Sequence, residues 1–87
     1  MAEDDKKFSK HLLGKTVVTK SGKRFGEVGN ITFETRTGEL IQIVLKNATG
    51  YAQNLDLERD AQNDLTLPFS SVIAVGDFVV VAEEDIM

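Results

Sequence analysis

The sequence predicts an all-β domain of six short strands, closed into a small antiparallel barrel with at most single helical turns. Three observations carry this expectation. The apolar residues gather in short β-branched stretches within 12–46 and 68–82. Glycine-containing turn signals punctuate those stretches at nearly regular intervals. No segment repeats its apolar residues with the 3.6-residue period of a substantial amphipathic helix.

The elements follow in chain order. Residues 1–8 read as a disordered tail, 9–82 as the domain, and 83–87 as a frayed acidic end. Residues 9–13 have the length of one helical turn, closed by Gly14. A first strand spans 15–19. Thr19-Lys20-Ser21-Gly22 suits a type I turn with a glycine bulge. That register sets Val17 opposite Phe25 and Lys15 opposite Glu27, an opposite-charge pair across the ladder. The second strand runs from about 25 to 34. Val28 and Ile31 lie three apart, so a regular strand would place them on opposite faces. Gly29 and Asn30 between them predict a β-bulge that turns both inward and coils the strand.

Thr35-Arg36-Thr37-Gly38 repeats the first turn chemistry. Pairing outward sets Phe33 against Ile41, Ile31 against Ile43 and Gly29 against Leu45, which keeps one face apolar. Residues 47–64 are polar and irregular; Leu55 and Leu57 around Asp56 suit a short edge strand, and the absence of an apolar stripe disfavours a helix. A strand at 65–67 stops at Pro68. Residues 69–71 read as a tight or 3₁₀ turn. Residues 72–75 and 78–82 form a last hairpin, whose Gly76-Asp77 turn suits type II′.

Two strands, 40–45 and 78–82, are apolar on both faces, whereas a barrel wall with water outside should alternate. Burying one Val or Leu is worth about 1.5–3 kcal/mol. The outer members of these strands, Leu40, Val44, Phe78 and Val80, are therefore the candidate partner interface. The competing reading is that the chain's own tails and the 47–64 loop cover them.

Composition bounds the rest. Eighty-seven residues make one domain, which buries only about 60–65% of its unfolded surface. Its 41% apolar and 28% charged content is that of a soluble globular chain. There is no cysteine, hence no disulfide and no thiolate chemistry. No apolar run approaches the roughly 20 residues that cross a bilayer, and the N-terminus lacks a signal core. A cytoplasmic location is expected. The net charge of −4 conceals an asymmetry. Residues 6–24 carry Lys6, Lys7, Lys10, Lys15, Lys20, Lys23 and Arg24 with no acid, while the rest of the chain is acidic. Such a segment suits an anionic partner such as RNA or a lipid headgroup, or simply a solvated basic strand beside an acidic one.

Motifs for chemistry are incomplete. Residues 9–16 end in Gly14-Lys15-Thr16, as a phosphate loop does, but Ser9 stands where the motif needs glycine and a strand follows where it needs a helix. Asp56, Glu58 and Asp60 alternate like the first ligands of a calcium loop, yet Ala61 and Leu67 occupy the glycine and glutamate positions. His11 is the only histidine, and no ligand cluster surrounds it in sequence. Phe8 and Phe25 are the only aromatics in or beside the basic segment, and Phe25 reads as core, so a stacking platform for single strands is poorly supported. No catalytic residue, cofactor or metal is expected, and the chain reads as a non-enzyme.

A resemblance narrows the role. Leu12-Leu13-Gly14-Lys15-Thr16-Val17-Val18, Ser21-Gly22, Phe25-Gly26-Glu27-Val28 and Thr37-Gly38-Glu39-Leu40 resemble the PRC-barrel family. Leu67-Pro68-Phe69-Ser70-Ser71-Val72 and Val75-Gly76-Asp77-Phe78-Val79-Val80-Val81 resemble its C-terminal half. The likeness spans residues 9–82 and implies a six-stranded barrel used as an assembly surface. The ending is most similar to free-standing archaeal members, some of which are implicated in cell division. That implies an adaptor with a protein partner such as SepF, which holds the FtsZ ring. It would act as a homo-oligomer or a heterodimer with a paralogue, and meet the membrane only through its partner. The alternative is an RNA- or ribosome-associated factor similar to the C-terminal half of RimM.

Overall fold

The computed structural model describes residues 11–86. The expected tail at 1–8 lies outside the described residues. Six strands form one sheet: β1 (Thr16–Thr19), β2 (Arg24–Phe33), β3 (Leu40–Lys46), β4 (Thr66–Pro68), β5 (Val72–Val75) and β6 (Phe78–Val81). Their order is β4-β3-β2-β1-β6-β5.

Two features of the expected barrel are corrected. The sheet is open, because β4 and β5 are its two edges. They are joined by a 3₁₀ turn at Phe69–Ser71 rather than by a ladder. The sheet is also mixed, since β6 runs parallel to β1, with Val17 beside Val79 and Thr19 beside Val81. Turn chemistry specifies only sequence-adjacent pairs, so it could not reveal this long-range one.

Side chains from both ends of the chain meet in one core. Leu12, Val17, Phe25, Val28, Ile43, Leu45, Leu67, Val79 and Val81 are buried together. Val17, Val79 and Val81 alternate inward, as a strand's period of two requires. Within the 47–64 loop the chain forms a short helix, α1 (Gly50–Asn54). This short helix falls in the loop where none was expected. The Thr49 hydroxyl oxygen caps it by accepting from the Ala52 N–H at 3.3 Å. The same hydroxyl donates to the Arg24 carbonyl at 2.6 Å, tying the helix to the start of β2. Ala52 is its one buried residue, too little for a visible apolar stripe.

The turns divide between confirmation and correction. Gly22 and Gly38 both take the left-handed conformation, at φ 89° and 77°. The Gly22 N–H donates to the Thr19 carbonyl at 2.9 Å, as the first turn was expected to do. In the second turn the Gly38 N–H reaches Glu34, at 2.8 Å, so the loop is one residue longer than expected. Gly76 is not among the positive-φ glycines, so the last hairpin is not closed by a type II′ turn.

Bulges set the register. Gly29 is the extra residue between the pairs Val28–Leu45 and Asn30–Val44. Val28 is buried and Ile31 packs against the same core, as the three-residue spacing predicted, and Ile31 lies opposite Ile43, as the pairing outward from the turn predicted. A second bulge at Phe25 was not foreseen. It places Val17 opposite Gly26 and Thr16 opposite Glu27, in place of Val17–Phe25 and Lys15–Glu27. A third, at Ile41, sets Phe33 against Leu40.

Candidate interaction surface

The outer face of β5, β6 and β1 carries an apolar cluster, and register fixes its layout. Ala74 lies beside Val80, Val80 beside Val18, and Val18 beside Arg24. In the next row Phe78 lies beside Thr16, Thr16 beside Glu27, and Glu27 beside Lys46. Because Val79 and Val81 point into the core, Phe78 and Val80 must point out. Phe78 is 48% exposed and Val80 partly so. Ile73, at the bulge of the edge strand β5, is 51% exposed. The face thus grades from apolar at β5 and β6 to charged at β2.

The four residues singled out from sequence are not brought together. Phe78 and Val80 share this face. Leu40 and Val44, expected on the outside of β3, are placed otherwise. Leu40 packs against the core, because the bulge at Ile41 reverses the strand's phase and turns Ile41 outward to 45% exposure. Val44 does point to the outer face but is only 8% exposed. The segment that carries Asp60, Gln62 and Asp64 walls a pocket with it. The Glu58 carbonyl accepts the Thr66 N–H at 2.9 Å, which pins that segment over β3 and β4. For Val44 the chain's own loop is the cover. Ile73, Ala74 and Val18, which border Phe78 and Val80 here, were not singled out from sequence. Ala74 and Val18 have the right alternation with Val75 and Val17, but their neighbours across the sheet are set by the β1–β6 pairing.

Charged residues of the β1–β2 turn and of the C-terminal turn engage partners within the chain. The Lys20 ammonium donates to Glu84 in an ion pair. The Tyr51 hydroxyl donates to Glu83 at 2.5 Å, and the Ser21 hydroxyl reaches the same carboxylate at 3.4 Å. Lys23 lies 5.8 Å from the centroid of the Tyr51 ring, which stacks on Phe25. The Glu84 hydrogen bond and charge raise the Lys20 pKa, and the Lys20 bond lowers that of Glu84. The bond to Glu83, then burial and the carboxylate charge, raise the Tyr51 phenol. These contacts latch the 3₁₀ turn Glu83–Asp85, within the segment expected to fray, onto the β1–β2 turn.

The chemistry-bearing motifs disperse. Gly14 adopts φ 84° and leads into β1 rather than into a helix, so no phosphate cradle forms there. Among the described residues no three His, Asp or Glu side chains gather as metal ligands, and no helix is long and apolar enough to cross a membrane.

A six-stranded sheet wrapped on one core, with an apolar outer face at one end, defines a small β-domain. The chain belongs to the PRC-barrel domain family, whose model matches residues 4–85. No curated protein matches it.

Proposed function

We propose that this protein is a non-enzymatic assembly adaptor whose contact face is the outer surface of β5, β6 and β1. The observation that carries this reading is the row of Phe78, Val80, Val18 and Ala74. One of its members, a phenylalanine, is half exposed with no segment of the described chain folded over it. An apolar row rimmed by charge is the usual composition of a protein-binding patch. Its occupant is a second copy or a paralogue of this chain, or a distinct protein partner. In its concrete form the protein is an archaeal division accessory factor that links to SepF and FtsZ. It would be cytoplasmic and meet the membrane only through that partner. This finer reading is supported by the likeness of the ending, residues 68–81, to free-standing archaeal members.

Light scattering on the full chain, with and without purified SepF, tests it. The wild type is expected to self-associate or to form a mixed complex, and Phe78→Asp to abolish whichever occurs while leaving the circular dichroism spectrum intact. A wild type that stays monomeric and binds no division protein overturns the proposal. The second reading, an RNA- or ribosome-associated factor, is favoured by the basic segment 6–24. It predicts binding that weakens steeply with salt. The engagement of Lys20 and Lys23 within the chain reduces the basic surface on offer, and absence of RNA binding at low salt removes this reading.

A further inference from the structure

A second surface, chemically unlike the Phe78 face, lies against β3 and β4. It is a groove of about 440 Å³ with Ile41, Pro68 and Ile86 as its apolar lining and Asp56 and Glu58 on its rim. Each part has a physical origin. The bulge at Ile41 turns an isoleucine out of the core. Pro68 ends β4, and Ile86 is brought in by the latch that holds the C-terminal turn. The two carboxylates are exposed. The one ion pair among the described residues is Lys20–Glu84, so neither rim carboxylate is neutralised by a described cation.

The backbone donors of this edge are closed. Pro68 has no N–H to give, and the Thr66 N–H is already donated to Glu58. An occupant therefore finds no backbone donor here and docks chiefly through its side chains. We infer that the groove takes a short segment of a partner protein in which one large apolar side chain is flanked by lysine or arginine. The apolar side chain fills the space between Ile41, Pro68 and Ile86, and the flanking cations meet Asp56 and Glu58. Charge argues against a second copy and against anionic ligands. A two-fold contact with the same groove of a second copy would bring like carboxylates together. RNA and anionic lipid are repelled by the same rim. The groove shares no residue with the Phe78 face, so this inference stands apart from the function proposed above.

The probe is a capped peptide with a Lys-Lys-Leu-Lys-Lys core, titrated into the isotope-labelled full chain and followed by amide chemical shifts. The expected shifts cluster at Ile41, Asp56, Glu58, Thr66 and Ile86. The double variant Asp56→Asn/Glu58→Gln should bind roughly tenfold more weakly, since two rim pairs together amount to about one such factor. Ile41→Ser should also weaken binding, whereas Phe78→Asp should leave it unchanged, which separates this site from the assembly face. Equal binding of a Lys-Lys-Gly-Lys-Lys peptide would show charge attraction alone and overturn the inference. So would shifts spread over the other acidic residues, or no shifts. Shifts at the groove on concentrating the protein without peptide would assign it to a second copy instead and equally overturn it.

Discussion

Gly26 sits where β2 passes closest to the turn after β3. Its φ is 145°, a region that side chains other than glycine rarely enter. A Cβ there would stand 2.9 Å from the Lys46 carbonyl oxygen, 3.1 Å from the Ala48 Cα and 3.2 Å from the Asn47 carbonyl oxygen. All three are backbone atoms, which cannot swing aside. Gly26→Ala should therefore combine strain with overpacking and cost more than about 2 kcal/mol. Gly22, at φ 89° with open space around it, should cost only about 1 kcal/mol on the same change. Gly50, in the first turn of α1 with open space and no positive φ, should gain about 0.5 kcal/mol. Urea midpoints of the three variants check the order, and Gly26→Ala matching Gly22→Ala would refute the close-approach argument. Some of this was legible and some was not. Gly22 and Gly38 announce themselves by turn chemistry in their own four residues, and Gly29 by the spacing of Val28 and Ile31. Gly26 matters because of Lys46 and Ala48, some twenty residues away, and no local pattern reports that approach. Val44 and Phe78 illustrate the same divide at the surface. Both read as outward members of apolar strands, but only the fold shows that a loop covers one and leaves the other half bare.

The element that holds the C-terminus is the 3₁₀ turn Glu83–Asp85, and its contacts give the protein a pH dependence with a definite sign. Glu84 has a lowered pKa in the fold, from its bond to Lys20. Its contribution is present above the ordinary glutamate range and is lost as pH falls through the depressed folded value. Lys20 and Tyr51 have raised pKa values. Their contributions are full below their ordinary values and are lost as pH rises through the raised ones. The latch thus holds across the neutral range and releases on both sides. Tyr51→Phe removes the hydroxyl that donates to Glu83 and keeps the ring on Phe25. It should lower the melting temperature at neutral pH and lose that difference in strong alkali. Glu84→Gln should lower it at neutral pH and lose the difference in acid. High salt should shrink the Glu84 effect, because the pair faces water. Scanning calorimetry across pH reads both, and a Glu84→Gln difference that grows as pH falls would reverse the assignment. From sequence this end reads as an acidic tail with nothing to hold it. Its partners, Lys20, Ser21 and Tyr51, are more than thirty residues away, and α1, which presents Tyr51, is too short to leave a periodic signal.

At the scale of the molecule, the number of strands was legible but their order was not. Hairpin logic gives β1–β2, β2–β3 and β5–β6, because each is closed by a local turn. It is silent on β6 beside β1, the pairing that makes the sheet mixed and assembles the Phe78 face. The same pairing makes the two proposed surfaces independent. One uses β5, β6 and β1, the other β3, β4 and the end of the chain, so a chain with both would join two partners without either displacing the other. It also places the last strand inside the sheet. β6 lies between β5 and β1, and Val79 and Val81 are fully buried. Burial of each is worth about 1.5–3 kcal/mol, against a total stability of about 4–13 kcal/mol for a domain of this length. A chain ending at Asp77 loses both valines, the Lys20 N–H bond to the Val81 carbonyl at 3.2 Å and the far neighbour of β1. It should show no cooperative unfolding transition. A chain ending at Ala82 keeps β6 and loses only Ile86 and the latch, so it should unfold cooperatively at a lower temperature and lose peptide binding at the Ile41 groove while keeping the Phe78 face. Circular dichroism melts on the two truncations distinguish these outcomes. A cooperative melt for the chain ending at Asp77 would mean that β1–β4 form an independent unit and that the parallel β1–β6 ladder is not needed for the fold.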